Sequence, residues 1–536
     1  MARLALVRLA GVAMAGSLLL AGCAGGGSDD DTAASPSGDQ EIQLGLVGDQ
    51  PDGGDPVAGG TLTFGTQAAA ATMDPAKTAA RGSSGGSELA AVYDVLVRYS
   101  SADKKFVPQL AKSFEASADG LTWTLKLREN VKFSDGTPLD SAAVLWSWDR
   151  YTQNRGNGSE LWKMNLDSAV AADPSTVVVK LKKAWPELEA MMALGQGMIV
   201  APTSMKSGTF QPIGAGPFVQ ERYAPNEERV LAARADYWGG KPYLDKLRFV
   251  ALNGPQATWE SLKSNQLQVG YLRASATAIS DARAAGLPGY LSFLNAGSAE
   301  MINNREGRPG ADVRVRQAIA YATSPTAVDD RVDEGKGRPS SGLFDPSSQW
   351  AGDVKPVAHD PEKAKQLLAE AKKDGYNGEL KYVVLQEPRD RAIGLAVQAQ
   401  LQAVGFTVTI MPANSAEDVV NNVYIKRDFD LAHAGLGLYE DIPFLGLYTT
   451  LQSASPSNVV GYKDAQMDTL LGELQAAGTV DAKKAVIGKI QQRANESVPS
   501  VSLGAIPSYI AWQKNVHGVT PHATDIMLFD KAWMKP

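Results

Sequence analysis

One stretch of the sequence matches a motif of covalent catalysis. Residues 82–86 have the pattern G-x-S-x-G, the nucleophile elbow of serine hydrolases, in which Ser84 would attack the substrate. The elbow requires a buried strand that leads directly into the serine, whereas residues 76–81 are polar and rich in alanine. A glycine-rich loop with Ser87 as the N-cap of a helix explains the pattern better, and a serine hydrolase is kept as a remote alternative.

Side chains that bind metals are few and scattered. The four histidines lie far apart in the sequence, and Cys23 is the single cysteine, so no spacing typical of a metal site is found. The sequence also has no P-loop and no H-E-x-x-H motif. The net charge of −7, without a basic tract, argues against nucleic acid as a partner. These observations predict a protein with neither a metal nor a cofactor.

The N-terminus has the organisation of a targeting signal. Arg3 and Arg8 form a basic region, and residues 9–21 form an apolar run that is short for a membrane span. The run ends with Leu-Ala-Gly before Cys23, which resembles a bacterial lipobox. We expect cleavage of residues 1–22 and a lipid on Cys23, which would anchor the protein without a transmembrane helix. Residues 23–58 are rich in Gly, Ser, Asp and Pro and are predicted to be a disordered tether.

The remaining chain has the patterns of an α/β protein with more than one lobe. Its 536 residues exceed what a single hydrophobic core usually supports. Residues 121–128 alternate between apolar and polar side chains, which predicts a strand with one buried face. A short strand at residues 131–133 and a helix capped by Ser141 are expected to follow it. Farther along, strands at residues 380–385 and 406–410 enclose an amphipathic helix, so we expect them to be parallel.

Several motifs, in the same order along the chain, resemble those of one family. The stretch 107–138 has the form P-x-L-A-x-S-F, D-G-L-x-W, L-R and V-x-F-x-D-G-T-P, and PIGAGPF stands at 212–218. ADYWGGKPY follows at 235–243, and KNVHGV stands near the C-terminus at 514–519. Together they resemble the family 5 extracytoplasmic solute-binding proteins, the peptide and nickel receptors of ABC importers. The resemblance implies an α/β, two-lobe, periplasmic-binding-protein-like fold of class II type, with an extra subdomain inserted in lobe 1.

The resemblance also implies domain boundaries and two crossings between the lobes. The expected segments are the first part of lobe 1 (59–292), an insertion within it (about 82–208), lobe 2 (293–496) and a return to lobe 1 (497–536). The crossings are expected near residues 291–295 and 496–500.

The function that the resemblance implies is reception of a solute outside the cytoplasm. The protein would be a lipid-anchored monomer without enzyme activity that closes its lobes on a solute and delivers it to permease and ATPase subunits. Oligopeptides are the expected solutes. A non-peptide solute, such as an oligosaccharide or a metal chelate, is the alternative.

The predicted ligand site centres on residues 435–443, Gly-Leu-Gly-Leu-Tyr-Glu-Asp-Ile-Pro. In the peptide-binding members, an aspartate in a related stretch pairs with the α-ammonium group of the peptide. Here Tyr439 stands at that position, and Glu440 and Asp441 follow it. Either carboxylate takes over through a small register shift, or the ligand has no free amine there. Leu436 and Tyr439 would form an apolar wall suited to a hydrophobic or sugar-like solute.

Four further residues complete the predicted ligand-binding set. Gly437 lies within the same stretch, and His433, just upstream of it, could reach the ligand. Trp350 lies in a loop rich in Pro and Ser and is a candidate for the cleft wall. Asp74 belongs to a turn that matches the Leu-Asp-Pro after the first strand of the family.

Overall fold

A computed structural model describes residues 44–225 and 227–536. Its strands are β1 (Gly45–Val47), β2 (Thr61–Thr66), β3 (Val97–Ser100), β4 (Lys105–Pro108), β5 (Ala111–Ala116), β6 (Thr122–Leu127), β7 (Leu166–Asp173), β8 (Thr176–Leu181), β9 (Phe218–Ala224), β10 (Glu228–Ala233), β11 (Lys246–Ala251), β12 (Val269–Arg273), β13 (Gly289–Ile302), β14 (Glu379–Leu385), β15 (Thr407–Ala413), β16 (Leu431–Ala434), β17 (Leu438–Tyr439), β18 (Ser500–Trp512), β19 (Val516–His517), β20 (Thr520–Pro521), β21 (Met527–Leu528) and β22 (Trp533–Met534).

The helices are α1 (Gly86–Tyr93), α2 (Ser141–Gln153), α3 (Ser159–Asn165), α4 (Glu189–Met192), α5 (Pro255–Lys263), α6 (Ala276–Ala284), α7 (Val313–Ala322), α8 (Pro325–Val332), α9 (Pro361–Lys373), α10 (Pro388–Ala403), α11 (Ala416–Val419), α12 (Pro443–Leu451), α13 (Ala465–Ala476) and α14 (Val480–Ser497). A π-helical turn at Val420–Ile425 follows α11 directly.

Local sequence determines several of these elements. At the start of α9, the Asp360 side chain accepts a hydrogen bond from the backbone N–H of Lys363 (2.9 Å), and Pro361 occupies the first turn. The apolar stripe of the helix is buried, as the spacing predicts: Ala364, Leu367, Leu368 and Ala371. The predicted parallel pair is also confirmed, because β14 and β15 run parallel with α10 between them.

The alternating segment in the first third is confirmed as β6, whose Trp123 and Leu125 are buried. It pairs with β5 and β8 in an antiparallel sheet with the order β5-β6-β8-β7. The strand predicted at residues 131–133 is wrong, since this segment makes only an isolated bridge between Lys132 and Pro138. A turn at residues 134–137 separates the bridge partners and leaves no room for a longer ladder.

Two predicted helix caps are shifted by one or two residues. Asp140, not Ser141, caps α2, since its carboxylate accepts a hydrogen bond from the N–H of Ala143 (2.9 Å). Gly85, not Ser87, stands at the N-cap of α1. In both cases the residue at the N-cap has non-helical backbone angles, and the serine lies already inside the first turn.

One large sheet runs through both lobes. Its order among the described strands is β15-β14-β16-β13-β18-β12-β2-β11-β10-β9, and β1 and β17 pair with β13 beside this path. The long antiparallel strands β13 and β18 lie at its centre. One end of this pair continues to β12 and β2, and the other to β16 and β14. These two strands are therefore the crossings between the lobes.

The crossing strands are irregular at their midpoint. Their register shifts between Leu294 and Ser298, and Ala296 has a positive φ of 43°. Opposite this bulge, Gly504 has a φ of 142°, and a Cβ atom there would lie 2.0 Å from the carbonyl oxygen of Arg338. A side chain is thus excluded at Gly504, where the two strands pass from one lobe to the other.

The antiparallel sheet β5-β6-β8-β7 forms the centre of the insertion, which touches lobe 2. The rings of Trp185 and Phe444 meet edge to face at a centroid distance of 5.9 Å. The Gln475 amide donates a hydrogen bond to Asn165 (2.8 Å). Helix α1 lies within the range predicted for the insertion, yet residues 89–93 pack in the core of lobe 1. The boundary predicted at residue 82 therefore falls too early.

Part of the segment predicted as a tether is packed on the fold. Strand β1 pairs with β13, and the Gln50 amide oxygen accepts a hydrogen bond from the Trp512 indole N–H (2.7 Å). Cys23, and the rest of the predicted tether up to residue 43, lie outside the described residues. Within residues 44–225 and 227–536, no helix is both long and apolar enough to cross a membrane.

Candidate ligand-binding cleft

Two connected chambers lie between the lobes. The outer chamber encloses about 1520 Å³ and is lined by residues 76–81 and 155–164 of the first lobe and by residues 448–457 of the second. The inner chamber encloses about 560 Å³. Its lining includes Ala80, Arg81, Tyr151, Gln196 and Thr524 from the first lobe, and Gly437, Tyr439, Ile442, Leu445 and Thr449 from the second. The chambers share Arg81 and Thr449, so a single solute can occupy both.

The glycine-rich loop positions Arg81 at the junction of the chambers. The carbonyl oxygen of Arg81 accepts hydrogen bonds from the N–H groups of Ser84 (3.0 Å) and Gly86 (2.8 Å). A Cβ atom on Gly82 would lie 2.0 Å from the carbonyl oxygen of Asp525, so this loop packs directly on the C-terminal segment. The glycines of the G-x-S-x-G pattern thus allow close packing. Ser84 donates a hydrogen bond to the Ala79 carbonyl (2.8 Å), and no strand leads into it.

Tyr439 lies opposite Arg81, on the other wall of the inner chamber. Strand β17 places it there by pairing with Leu294 of β13. The Arg81 guanidinium lies over the Tyr439 ring, 5.7 Å from its centroid, in a cation–π contact. Burial raises the pKa of Tyr439, although the Arg81 charge acts in the opposite direction.

Gln196 is an unusual member of the inner wall. Its side chain is only 2% exposed, and neither its amide nitrogen nor its amide oxygen has a hydrogen-bond partner among the described residues. Buried amides are almost always bonded, and an unpaired polar group costs about 1–3 kcal/mol. An unpaired amide beside a chamber is therefore a candidate for contact with a solute.

The carboxylate of Glu440 is bonded within lobe 2. It accepts hydrogen bonds from the Ser348 hydroxyl (2.7 Å), the Gln349 N–H (3.0 Å) and the Asn295 amide (3.2 Å). Trp350 belongs to the same loop, and its indole N–H donates to the Glu440 carbonyl (2.7 Å). Burial raises the pKa of Glu440, and the bonds to its carboxylate oppose that effect. Glu440 and Trp350 thus fasten this loop to the cleft segment.

Asp441 links the two lobes. One of its carboxylate oxygens accepts a hydrogen bond from the Thr524 N–H (2.7 Å), and the other is buried without a partner among the described residues. Thr524 belongs to the C-terminal segment and has a positive φ of 57°. Burial raises the pKa of Asp441 to about 7, and the nearby charge of Asp525 adds to the rise.

Leu436 and Gly437 lie next to Tyr439, whereas His433 and Asp74 lie apart from both chambers. Leu436 is buried, and Gly437 lines the inner chamber. His433 contacts Glu300 on the adjacent strand (3.0 Å). Asp74 is buried in a two-fold contact with the Arg150 guanidinium (2.9 and 2.5 Å). The structure therefore brings Leu436, Gly437 and Tyr439 together at the cleft and gives His433 and Asp74 partners within the protein.

The outer chamber carries an excess of positive charge. Lys77 and Arg155 are exposed on its walls, Arg81 stands at its inner end, and Glu160 is the acidic residue of the lining. Within the described residues, no group of three or more His, Cys, Asp or Glu side chains is arranged to hold a metal ion.

Sequence reasoning missed Arg81, Gln196 and the outer basic residues. For Arg81 a signal was present, since it directly precedes a run of glycines that allows tight packing. Gln196 lies in a Gly-Gln-Gly turn, which gives the same local signal. Nothing in the sequence shows that residues 81, 196 and 439 meet.

Comparison with known proteins places this cleft in a family. The family model described as "Bacterial extracellular solute-binding proteins, family 5 Middle" matches residues 105–458. The chain belongs to this family. It is 30% identical over 291 residues to the nickel-binding periplasmic protein of Escherichia coli (52% of this chain, 55% of that protein). It is 29% identical over 384 residues to the dipeptide-binding protein of the same species (64% and 69%).

A solved structure shows the same fold. The oligopeptide-binding protein AppA of Bacillus subtilis, in complex with a nonapeptide, matches with a TM-score of 0.75 at 22% identity, covering 90% of this chain and 100% of that one. The expected two-lobe fold is thereby confirmed. This family 5 member is an extracytoplasmic substrate-binding receptor of an ABC importer, and such receptors partner with permease and ATPase components.

Proposed function

We propose that the protein captures oligopeptides between its two lobes and presents them to the importer. The observation that carries this proposal is the cleft itself. Its outer chamber, of about 1520 Å³, exceeds the range of roughly 300–1000 Å³ that is usual for small-molecule sites. Both lobes contribute to its walls, so a long solute would touch both and favour their closed arrangement.

The relatives support a peptide as the solute. The dipeptide-binding protein of Escherichia coli and the nonapeptide complex of Bacillus subtilis AppA are both peptide receptors by name. The inner chamber offers apolar side chains, such as Ile442 and Leu445, beside a few polar groups. This combination accommodates varied side chains while polar groups fix one end of the solute.

A non-peptide solute is the second candidate, and one observation favours it. Glu440 and Asp441, the carboxylates that would receive an ammonium group, both bond to other parts of the protein. The nickel-binding relative shows that such receptors serve other solutes. In this chain, any metal would have to arrive with its own chelator.

We also propose a lipid anchor at Cys23, with a monomeric receptor held at the membrane. The apolar run and the Leu-Ala-Gly-Cys sequence support this anchor. Cys23→Ser should release the protein into the medium, measured by immunoblotting of washed membranes and culture supernatant. Retention of the Cys23→Ser protein in the membrane fraction would contradict the anchor.

A cleft-filling variant tests the peptide proposal. Thr449 borders both chambers, so Thr449→Trp should fill their junction and abolish binding of peptides of two to nine residues in calorimetric titrations. Thr469 is exposed on α13, and Thr469→Trp is the matched control that should bind as the unaltered protein does. Failure of the unaltered protein to bind any peptide, or equal binding by the Thr449→Trp protein, would refute the proposal.

A further inference from the structure

Resting on the proposed peptide-receptor function, we infer that the inner chamber receives the carboxylate end of the solute, with Arg81 as its ionic partner and Gln196 as a hydrogen-bond donor. A free amine on the solute is then unnecessary. This assigns a specificity role to two residues of the first lobe.

The first step of the argument is that the cleft has no carboxylate available for an amine. Glu440 accepts three hydrogen bonds from its own lobe. Asp441 uses one oxygen for Thr524, and Asp74 is paired with Arg150. A buried ammonium group without a carboxylate partner would be costly, so the inner chamber does not suit the amino end of a peptide.

The second step is that Arg81 offers a cation without an internal partner. Among the described residues, no carboxylate lies within 4.0 Å of its guanidinium, whose neighbour is instead the Tyr439 ring. Burial raises the pKa of Tyr424 on the π-helical turn, and the Arg81 charge opposes that rise, so Arg81 lies close to lobe 2 on this side also. A planar guanidinium between two aromatic side chains is oriented to accept a carboxylate edge-on, with two parallel hydrogen bonds.

The third step concerns Gln196. Its amide is buried and unpaired, and it lines the same chamber as Arg81. A carboxylate in this chamber can accept from the Gln196 amide N–H, and a neighbouring peptide N–H can donate to the amide oxygen. The solute would thus satisfy the polar atoms that the protein leaves unbonded.

The charges of the outer chamber agree with this direction of entry. Lys77, Arg155 and Arg81 outnumber Glu160 along the path inward. A cleft with an excess of one charge draws in the oppositely charged end of a solute. The carboxylate end would therefore enter first, and the amino end would remain in the outer chamber or near its mouth.

The test uses a randomised tetrapeptide library prepared in four forms: free, N-acetylated, C-amidated and with both ends blocked. Binding to the full-length mature protein is measured by calorimetry at fixed ionic strength. We expect the free and N-acetylated forms to bind alike and the C-amidated form to bind at least roughly tenfold more weakly. Arg81→Gln should remove the difference between acid and amide. The control Arg391→Gln, on the exposed surface of α10, should preserve it.

A second variant separates binding from folding. Gln196→Met keeps the size of the side chain but removes the unpaired amide, so its thermal stability should be equal or higher while its affinity for the free-acid library falls. A merely structural role for Gln196 would give the opposite result, with lower stability and unchanged affinity.

The outcomes distinguish this inference from the function on which it rests. Equal binding of the amidated and free-acid libraries would overturn the carboxylate site and leave the peptide receptor intact. If no library binds but glutarate does, in a manner that Arg81→Gln abolishes, the peptide function fails and the carboxylate site stands. If neither the libraries nor glutarate bind, both are overturned.

Discussion

Asp441→Asn should stabilise the protein at neutral and alkaline pH. Burial raises the pKa of Asp441 from its ordinary value of 3.8 to about 7, a rise of about three units. Each unit corresponds to about 1.4 kcal/mol, so the ionised carboxylate would destabilise the folded state by about 4 kcal/mol at pH 8. Since part of the side chain reaches solvent, which screens the charge, we expect a gain of about 2 kcal/mol from its removal.

The pH dependence has a definite sign. Because the folded-state pKa is raised, the stabilisation by protonated Asp441 is complete below about pH 4 and is lost as pH rises through about 7. An asparagine mimics the protonated acid, because it can still accept the Thr524 N–H bond and can donate from the position of the unpaired oxygen. The advantage of Asp441→Asn should therefore shrink as pH falls from 8 to 5.

Urea unfolding followed by tryptophan fluorescence at pH 5, 6.5 and 8 measures this effect. Asp353 is exposed, so Asp353→Asn removes the same charge without a buried environment and should change the midpoint little at any pH. A gain for Asp441→Asn that is the same at pH 5 and pH 8 would refute the reasoning. So would a loss of stability at pH 8.

Two further predictions concern the first lobe and the crossing strands. Arg229→Ala should destabilise the protein by about 3–5 kcal/mol in urea unfolding, because it leaves the buried Glu88 carboxylate without its ionic partner; Lys263→Ala, in an exposed pair, should leave the midpoint unchanged. Gly504→Ala should lower stability by more than about 1 kcal/mol, because the residue has a positive φ and faces a backbone oxygen. Gly352→Ala, in open space, is its control. Equal effects within either pair would contradict these assignments.

Patterns within a few residues predicted the local structure well. The alternation around Trp123 and the Asp-Pro start of α9 depend on neighbours in sequence, and both are confirmed. The parallel pair β14 and β15 follows from the short connection between its strands. The cap of α2 was assigned to Ser141 instead of Asp140, because both residue types favour this position and only backbone angles decide between them.

The ligand site was less predictable, because its members meet only through the tertiary fold. Asp74 was chosen from its turn, but its partner Arg150 lies on a helix of the insertion. His433 was chosen from its place before the cleft segment, yet its neighbour Glu300 comes from a different strand. No local pattern shows that Gln196 remains unpaired. Distances between remote residues decide which polar groups remain available to a solute.

The most direct test of the peptide-receptor account is native mass spectrometry of the protein purified from its own host. The account predicts a series of bound masses that fragment into peptides and that are absent from the Thr449→Trp protein. A single non-peptide mass would contradict it and would support the second candidate function. Peptide masses that persist in the Thr449→Trp protein would place the bound peptides outside the cleft and would equally contradict the account.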